Sequence, residues 1–269
     1  MIPYPDIDPV AIALGPLEIR WYGISYLAAF ACAWWLGNRR AAAPGSDWTR
    51  EQVADLIFYG ALGAVLGGRL GYVLFYGFER LMADPLYLFA IREGGMSFHG
   101  GLLGVGAALI LFGRRTNRSF LQVADFTAPL VPLGLGFGRL GNFVNLELPG
   151  RVSDLPWALG WPGEFIGRHP SSLYQAFAEG LVLFVVVWGF SRVPRPAGAV
   201  SGMFLAGYGV LRFTTEFFRK PDDHLGFVAF DWMTMGQMLC IPMIAAGLVL
   251  LWWSHARQSP ALRAGRQEG

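Results

Sequence analysis

The most constraining feature of this sequence is a set of long segments without a charged side chain. Residues 232–254 contain no Asp, Glu, Lys or Arg, and the same holds for residues 21–38 and 94–113. A helix needs about 20 mostly apolar residues to cross the hydrocarbon core of a bilayer. Only 15% of the chain is charged, so folding it with a water-facing surface would expose large apolar patches. The sequence therefore predicts an integral membrane protein.

Four further segments are apolar but are interrupted by charges. They are 56–78 with Arg69, 124–146 with Asp125 and Arg139, 173–191 with Glu179, and 198–218 with Arg212 and Glu216. The segment 124–146 also contains Pro129 and Pro132, which break helices. Because lipid cannot satisfy backbone N–H and C=O groups, helices are the expected spanning structure. We predict an all-α integral membrane protein of about seven transmembrane helices, with residues 1–269 forming a single polytopic domain.

The arginine distribution predicts an orientation. Arg and Lys are more frequent in the connections that follow the first, third, fifth and seventh spans, as at Arg39, Arg40, Arg114 and Arg115. Cytoplasmic loops carry the excess of these residues, so we expect the N-terminus outside and the C-terminus in the cytoplasm. The first residues lack the basic region of a cleaved signal peptide. We therefore expect the apolar segments to be retained as spans.

The sequence also disfavours several functions. Its runs of basic residues are no longer than two, as at Arg39-Arg40, so nucleic acid is not an expected partner. Cys32 and Cys240 lie far apart inside apolar segments, without the Cys/His spacing of a metal site. We interpret both cysteines as core residues and predict no metal site.

Glycines recur at a spacing of four residues. Gly63, Gly67 and Gly71 form one such series, and Gly134 with Gly138 forms another. Small residues at this spacing let two helices approach closely in a membrane. We interpret both series as helix-packing faces.

The charges inside the spans are the most informative residues, because a charge at bilayer depth is costly and usually functional. Arg139 is followed by Asn142, Asn145 and Glu147, a cluster that favours function over structure. Arg212 and Glu216 have the i,i+4 spacing of a local ion pair, so either a structural pair or a functional one fits them. Arg69 lies among the packing glycines, and its sequence context leaves structure and function equally open.

His99 lies between Gly94, Gly95 and the glycines that follow it at positions 100, 101 and 104. A histidine in an apolar segment is commonly a core residue, but these glycines suggest open space for an approaching ligand. Histidine is also a common general base near neutral pH. Together these residues predict a polar cavity, open towards the outer face, that binds an anionic ligand.

Residues 138–150 resemble the signature of the prolipoprotein diacylglyceryl transferase family of bacterial inner membranes. They match its pattern G-R-x-G-N-F-x-N-x-E-x-x-G at every fixed position. Further matches are the segments 20–23, 94–101, 168–174, 208–213 and 216–219. Two departures are Gln175, where relatives often carry Glu, and Leu146, which is bulkier than the residue usual there.

The resemblance implies transfer of the diacylglyceryl group of phosphatidylglycerol to the lipobox cysteine of a preprolipoprotein signal peptide. Glycerol phosphate would leave and a thioether would remain, in a multi-pass protein of the bacterial inner membrane with a periplasmic N-terminus. No metal or organic cofactor is implied, because phosphatidylglycerol is already activated as a phosphodiester.

The resemblance also implies roles for individual residues. Arg139 and Arg212 would bind the phosphate through charge-assisted hydrogen bonds. His99 or Tyr208 would accept or relay the thiol proton. The other residues expected in the phosphatidylglycerol site are Asn142 and Tyr22 at the headgroup or transition state, Glu147 and Glu216 as orienting groups for the arginines, and Gly150 at the end of the signature.

Two other classes of protein compete with this interpretation. A secondary transporter or channel for an anionic solute would also place arginines in a membrane cavity, but the seven spans lack the inverted repeat of many transporters. A structural scaffold does not explain why Arg139, Asn142, Asn145 and Glu147 cluster.

Overall fold

The structure is a computed structural model that describes residues 1–15, 17–90, 93–222 and 225–257. Helices dominate it. They are α1 (Trp21–Ala41), α2 (Arg50–Tyr76), α3 (Phe78–Ala83), α4 (Phe98–Arg115), α5 (Phe120–Thr127), α6 (Val131–Val144), α7 (Ser171–Gln175), α8 (Leu183–Ser191), α9 (Ala199–Thr215) and α10 (Met235–Ala256). Short 3₁₀ segments cover Pro85–Phe89, Ala128–Leu130 and Glu216–Phe218, and a π-helix covers Ala176–Val182.

Within the described residues, four helical runs are long and apolar enough to cross a membrane. They are Arg50–Tyr76, Phe120–Val144, Ser171–Ser191 and Met235–Ala256. The other three predicted spans overlap α1, α4 and α9. The chain is therefore a mostly helical protein with several helices suited to membrane crossing.

Short strands are a departure from a purely helical chain. They are β1 (Ile2–Pro3), β2 (Val10–Leu14), β3 (Leu17–Arg20), β4 (Leu159–Gly160) and β5 (Gly167–Arg168). β2 and β3 form an antiparallel hairpin directly before α1, and β4 pairs with both β1 and β5. These connecting segments need partners for their backbone groups, and strands of two to five residues are too short to leave a clear alternating pattern.

Pro129 and Pro132 interrupt the fourth predicted span as expected. α5 ends at Thr127, a 3₁₀ turn follows over Ala128–Leu130, and α6 begins at Val131. Each proline occupies a first-turn position, where its missing N–H leaves no intrahelical bond unmade. The helical run Phe120–Val144 nevertheless continues through both prolines, and α6 carries residues 138–144 of the signature.

The described residues form two compact units, one within 34–124 and one of those within 1–33 together with those from Asp125 to Arg257. In the first unit α2 and α4 pack through their glycines. A Cβ on Gly63 would lie 2.5 Å from the Gly104 carbonyl oxygen, and one on Gly67 would lie 2.4 Å from that of Gly100. The helix-packing interpretation of the Gly63 series is confirmed. The expectation of open ligand space at Gly100 and Gly104 is wrong, because α2 fills that space.

Arg69 has a structural role in the same unit. Its guanidinium is buried and donates to the carbonyl oxygens of Tyr87 at 2.5 Å, Gly94 at 2.6 Å and Leu88 at 3.1 Å. It also lies over the Tyr87 ring, 4.7 Å from the centroid. These contacts use the charge to hold the backbone that follows α3.

In the second unit, α9 and α10 pack closely, with a Cβ on Gly247 falling 2.4 Å from the Ala206 nitrogen. The Asp125 carboxylate accepts hydrogen bonds from the Gly198 nitrogen at 2.7 Å and from the Ser201 nitrogen and hydroxyl at 2.8 and 2.6 Å. A carboxylate at a helix N-terminus satisfies free N–H groups and complements the helix dipole. Asp125 thereby fixes the start of α9.

The second glycine series differs from its prediction. A Cβ on Gly138 would meet no atom within 4 Å, and one on Gly134 would make an ordinary 3.5 Å contact with Ala29. The close contact of α6 lies instead at Gly136, whose Cβ would be 3.1 Å from the Gly180 Cα in the π-helix. The packing face of α6 is thus turned from the predicted one, and Gly136 and Gly180 bring Arg139 and Glu179 to the same level.

Candidate active site

The signature residues 138–150 cover the end of α6 and a tight turn after it. The turn begins where the Asn145 nitrogen donates to the Gly141 carbonyl at 3.0 Å. Leu146 and Leu148 both have φ of 57°, a left-handed conformation that costs a non-glycine residue about 1–2 kcal/mol. Leu146 therefore occupies a strained position, and the turn directs Glu147 back towards Asn142 on α6.

Glu147 joins the polar residues of the signature. Its carboxylate accepts from the Asn142 amide at 2.5 Å and from the Asn145 amide at 3.3 Å. The hydroxyls of Ser171 and Ser172, at the start of α7, donate to the carbonyls of Leu148 at 2.7 Å and Glu147 at 3.3 Å. The structure therefore brings Asn142, Asn145 and Glu147 together and ties them to α7.

Glu179 joins the two candidate phosphate arginines. Its carboxylate lies 3.4 Å from Arg139 Nη2 and 3.5 Å from Arg212 Nη1, and it accepts a hydrogen bond from the Thr215 hydroxyl at 3.0 Å. Its side chain is 0% exposed. The resemblance implies that Glu147 orients an arginine, whereas in the structure Arg139 pairs with Glu179. A lone carboxylate in the predicted span 173–191 was the signal for this role.

The ion pair expected from the i,i+4 spacing is present. Arg212 Nη2 lies 2.8 Å from Glu216, which is buried at the end of α9. Glu216 also accepts from Arg219 Nη1 at 3.3 Å and from the Thr234 hydroxyl at 3.1 Å. The start of α10 thus helps to hold the carboxylate that orients Arg212.

Gly150 lies where three backbone segments meet. It forms an antiparallel bridge with Arg219, and its carbonyl accepts from Arg168 Nη1 at 2.9 Å. A Cβ on Gly150 would be 2.0 Å from the His169 carbonyl oxygen. No side chain fits there, so position 150 requires glycine because its backbone lies directly against that of His169. Through the bridge, Gly150 connects the signature turn to the chain that follows Glu216.

Tyr22 is the second residue of α1 and packs against α6, the helix that carries the first part of the signature. A Cβ on Gly141 would meet the Tyr22 ring at 2.8 Å, and the Tyr22 and Tyr26 rings are edge to face at 5.1 Å. The glycine at position 141 therefore makes room for Tyr22 beside Asn142.

The two candidate bases belong to different units. Tyr208 lies on α9 one turn before Arg212, and its ring stacks on Phe204 with centroids 6.0 Å apart. His99 is the second residue of α4, exposed, with its ring edge to face against Phe98 at 5.7 Å. The structure therefore brings Arg139, Arg212, Glu216, Tyr208, Asn142, Glu147, Gly150 and Tyr22 into one unit, and His99 belongs to the unit of residues 34–124.

Sequence reasoning assigned no role to a second polar group, formed by His169 and Tyr174. The Tyr174 hydroxyl accepts from the Trp157 indole at 2.7 Å and lies 3.4 Å from His169 Nδ1. Phe218 packs on both rings, 5.2 Å from that of His169. Burial lowers the pKa of His169, which favours a neutral imidazole beside Gly150.

The chemistry of the site favours an anion rich in acceptor oxygens. Four buried donors around the site lack a hydrogen-bond partner within the described residues, namely Arg151 Nη2, Gln175 Nε2, Arg212 Nη1 and Arg219 Nε, as do the acceptors Asn145 Oδ1 and Gln175 Oε1. Three of the four donors are guanidinium nitrogens. Buried polar groups are usually paired, and guanidinium groups match phosphate geometry. Within the part of the chain that the structure describes, no group of three or more His, Cys, Asp and Glu side chains could hold a metal ion.

The chain is similar to known proteins over nearly its whole length. The family described as prolipoprotein diacylglyceryl transferase matches residues 9–253. A protein of Chromohalobacter salexigens is 60% identical over 95% of this chain and 95% of its own length. One of Photobacterium profundum is 59% identical over 95% and 96%, and one of Ectopseudomonas mendocina is 55% identical over 96% and 98%. All three are named phosphatidylglycerol–prolipoprotein diacylglyceryl transferase. With its signature turn, its paired arginines and this extent of similarity, the chain belongs to the prolipoprotein diacylglyceryl transferase family.

Proposed function

We propose that this protein transfers the diacylglyceryl group of phosphatidylglycerol to the lipobox cysteine thiol of a preprolipoprotein signal peptide. The observation that carries the proposal is the pair Arg139 and Arg212, held on one buried carboxylate in a chain of this family. Two guanidiniums at one place suit a phosphodiester headgroup.

The reaction is a displacement at an sp³ carbon. The thiolate sulfur forms a bond to the glyceryl carbon that carries the phosphate ester, and the bond between that carbon and the ester oxygen breaks. The electron pair leaves with glycerol phosphate, and the thiol proton passes to a base. No oxidant, metal or organic cofactor is needed, because the phosphate ester is the leaving group.

The roles of the site residues follow from this chemistry. Arg139 and Arg212 bind the phosphate and stabilise the charge that develops on it. Asn142 and Tyr22 contact the headgroup or the transition state. Gly150 lies at the end of the signature and holds its turn against the chain at Arg219. Glu216 orients Arg212, and Glu147 orients Asn142 at the edge of the arginine cluster.

The membrane arrangement is also part of the proposal. Seven helices would span the bacterial inner membrane at about 21–38, 56–78, 94–113, 124–146, 173–191, 198–218 and 232–254, as one polytopic domain. The N-terminus would be periplasmic, the C-terminus cytoplasmic, and a polar cavity would open towards the outer face. The helices α1, α4 and α9 overlap the three predicted spans that lie outside the four long apolar runs, and this overlap supports those spans.

His99 and Tyr208 are the two candidates for the base. If His99 accepts the proton, His99→Gln lowers the transfer rate by about 10²–10⁴-fold at neutral pH. Raising the pH then recovers part of the rate, because the substrate thiol, with a pKa of about 8.5, ionises unaided. The measurement is single-turnover transfer between pH 6.5 and 9.5. An equal loss at every pH assigns His99 a positioning role and makes Tyr208 the candidate.

The activity is tested with purified protein, phosphatidylglycerol in detergent micelles and a lipobox peptide. The expected product is a peptide heavier by one diacylglyceryl group, with glycerol phosphate released in equal amount. An anion transporter or a scaffold would leave the peptide unchanged. The same peptide with Ser in place of the lipobox Cys is the control and should remain unmodified.

The double variant Cys32→Ala, Cys240→Ala is expected to transfer within about twofold of wild type, because the substrate supplies the only reacting thiol. Cys32 is half-buried and Cys240 buried, so thermal unfolding is measured beside turnover. Loss of transfer in a well-folded double variant, together with a diacylglyceryl adduct on the wild-type protein, would contradict direct transfer.

A further inference from the structure

Glu179 occupies a distinctive position in the helix that carries it. It lies in the π-helix Ala176–Val182, between α7 and α8. Single π-helical turns are rare and frequently occur at functional sites. Across from it, Gly136 lets α6 approach closely enough for Arg139 to reach the carboxylate. The local fold is therefore arranged around one buried negative charge.

The contacts between Glu179 and the two arginines are longer than a usual charge-assisted hydrogen bond. The distances to Arg139 and Arg212 are 3.4 and 3.5 Å, longer than the usual 2.7–2.9 Å of a charge-assisted bond. Arg212 Nη1 still lacks a hydrogen-bond partner within the described residues. The shorter contact of Glu179 is the 3.0 Å hydrogen bond from Thr215, which anchors the carboxylate. The Arg139 side chain is 21% exposed, so its remaining N–H groups are accessible to a ligand, whereas Arg212 Nη1 would become paired only by a ligand that enters the buried cluster.

The ion pairs around Glu179 balance in charge. Among the residues that the structure describes, they form a continuous network of three cations and three anions: Arg139, Arg212 and Arg219 with Glu179, Glu216 and Asp222. A neutral network with free donors can accept one negative charge through hydrogen bonds. A second negative charge on the same ligand is repelled by the buried carboxylate, which water does not screen.

We propose that Glu179 is a positioning and specificity-determining residue. It holds the Arg139 and Arg212 guanidiniums together, and its charge makes the site favour a singly charged phosphodiester over a doubly charged phosphate monoester. The inference rests on the proposed function, in which the substrate is a phosphodiester and the leaving group is a monoester. Weak binding of the dianion helps the site to release its product.

The test is equilibrium binding of two soluble ligands to the detergent-solubilised full chain at pH 7.5. One ligand is the monoester glycerol phosphate and the other is the phosphodiester glycerophosphoglycerol. Glu179→Gln keeps the shape and the acceptor for Thr215 but removes the charge. It should raise the affinity for the monoester relative to the diester by about tenfold, a difference of about 1.4 kcal/mol. An unchanged ratio would overturn the proposal.

Two further variants separate charge from position. Thr215→Val removes the hydroxyl that anchors the carboxylate and keeps the charge, so both affinities should fall together while their ratio stays constant. Glu164→Gln is the matched control, because Glu164 pairs with Arg168 at 2.6 Å outside this network. It should leave the ratio at the wild-type value. A ratio that changes equally in Glu164→Gln and Glu179→Gln would also overturn the proposal.

The wild-type protein provides a test that does not depend on a variant folding. A phosphate monoester gains its second charge near pH 6, so its affinity relative to the diester should fall between pH 5 and pH 7.5. A relative affinity that rises over this range would contradict the inference. The groups that surround Glu179 are Arg139, Arg212, Thr215 and, through Arg212, Glu216, with Tyr208 and Cys240 in electrostatic range.

The phosphodiester keeps a single charge over this range, so its affinity reports any titration of the protein itself. Because these measurements use binding alone, they also separate the two proposals. Absence of peptide modification would reject the proposed function, whereas an unchanged binding ratio would reject only the role of Glu179.

Discussion

Arg139→Lys is expected to bind phosphatidylglycerol nearly as well as wild type and to lose about 10²–10³-fold in transfer rate. Arg139 already uses Nη2 on Glu179, and its planar fork leaves other N–H groups for the phosphate. Lysine is a compact point charge that cannot contact the carboxylate and two phosphate oxygens with the same geometry. Because the bidentate contact strengthens as charge develops, the loss falls on turnover rather than on ground-state binding.

The measurement compares lipid binding and single-turnover transfer for Arg139→Lys in one detergent preparation. Arg139→Ala serves as the second variant and should lose both, since it also leaves Glu179 with one cation fewer. Arg212→Lys should lose turnover in the same way, with some loss of folding, because Arg212 pairs with buried Glu216 at 2.8 Å. Transfer by Arg139→Lys within threefold of wild type would remove Arg139 from the phosphate and assign it a structural role.

Local features of this site were predictable from the sequence. The Arg212–Glu216 pair depends only on helical spacing, and the structure contains it at the end of α9. The chain itself sets the distance between these two groups, so the sequence carries the geometry. A four-residue spacing of glycines is a weaker guide: it predicts close packing for Gly63 and Gly67, which contact α4, and also for Gly134 and Gly138, which do not pack closely.

Long-range pairings were not predictable in this way. Glu179 meets Arg139 forty residues away in sequence, and nothing in the span 173–191 indicates which cation its lone carboxylate contacts. The same limit explains the wrong interpretation of the glycines after His99. A glycine next to a ligand and a glycine next to another helix look alike in sequence, and only the position of α2 distinguishes them.

Two glycines of the signature, Gly138 and Gly150, differ in how much space surrounds them. A Cβ on Gly150 would overlap the His169 carbonyl oxygen at 2.0 Å, and backbone cannot move aside as a flexible side chain can. A Cβ on Gly138 would meet nothing within 4 Å. The two positions share a motif, but only one of them restricts the residue by packing, which makes them a matched pair for experiment.

Gly150→Ala is therefore expected to reduce transfer by at least about 10²-fold, because moving the signature turn away from His169 breaks the bridge to Arg219 and displaces the chain that carries Glu216. The overlap should also lower the free energy of unfolding by about 1–3 kcal/mol. Gly138→Ala lies in the interior of α6 and should keep or raise the unfolding temperature, since alanine favours a helix over glycine by about 1 kcal/mol. Thermal unfolding of both variants, read beside single-turnover transfer of Gly150→Ala, tests this. If Gly150→Ala transfers at the wild-type rate, or if Gly138→Ala unfolds as early as Gly150→Ala, then close backbone approach does not explain the glycine at position 150.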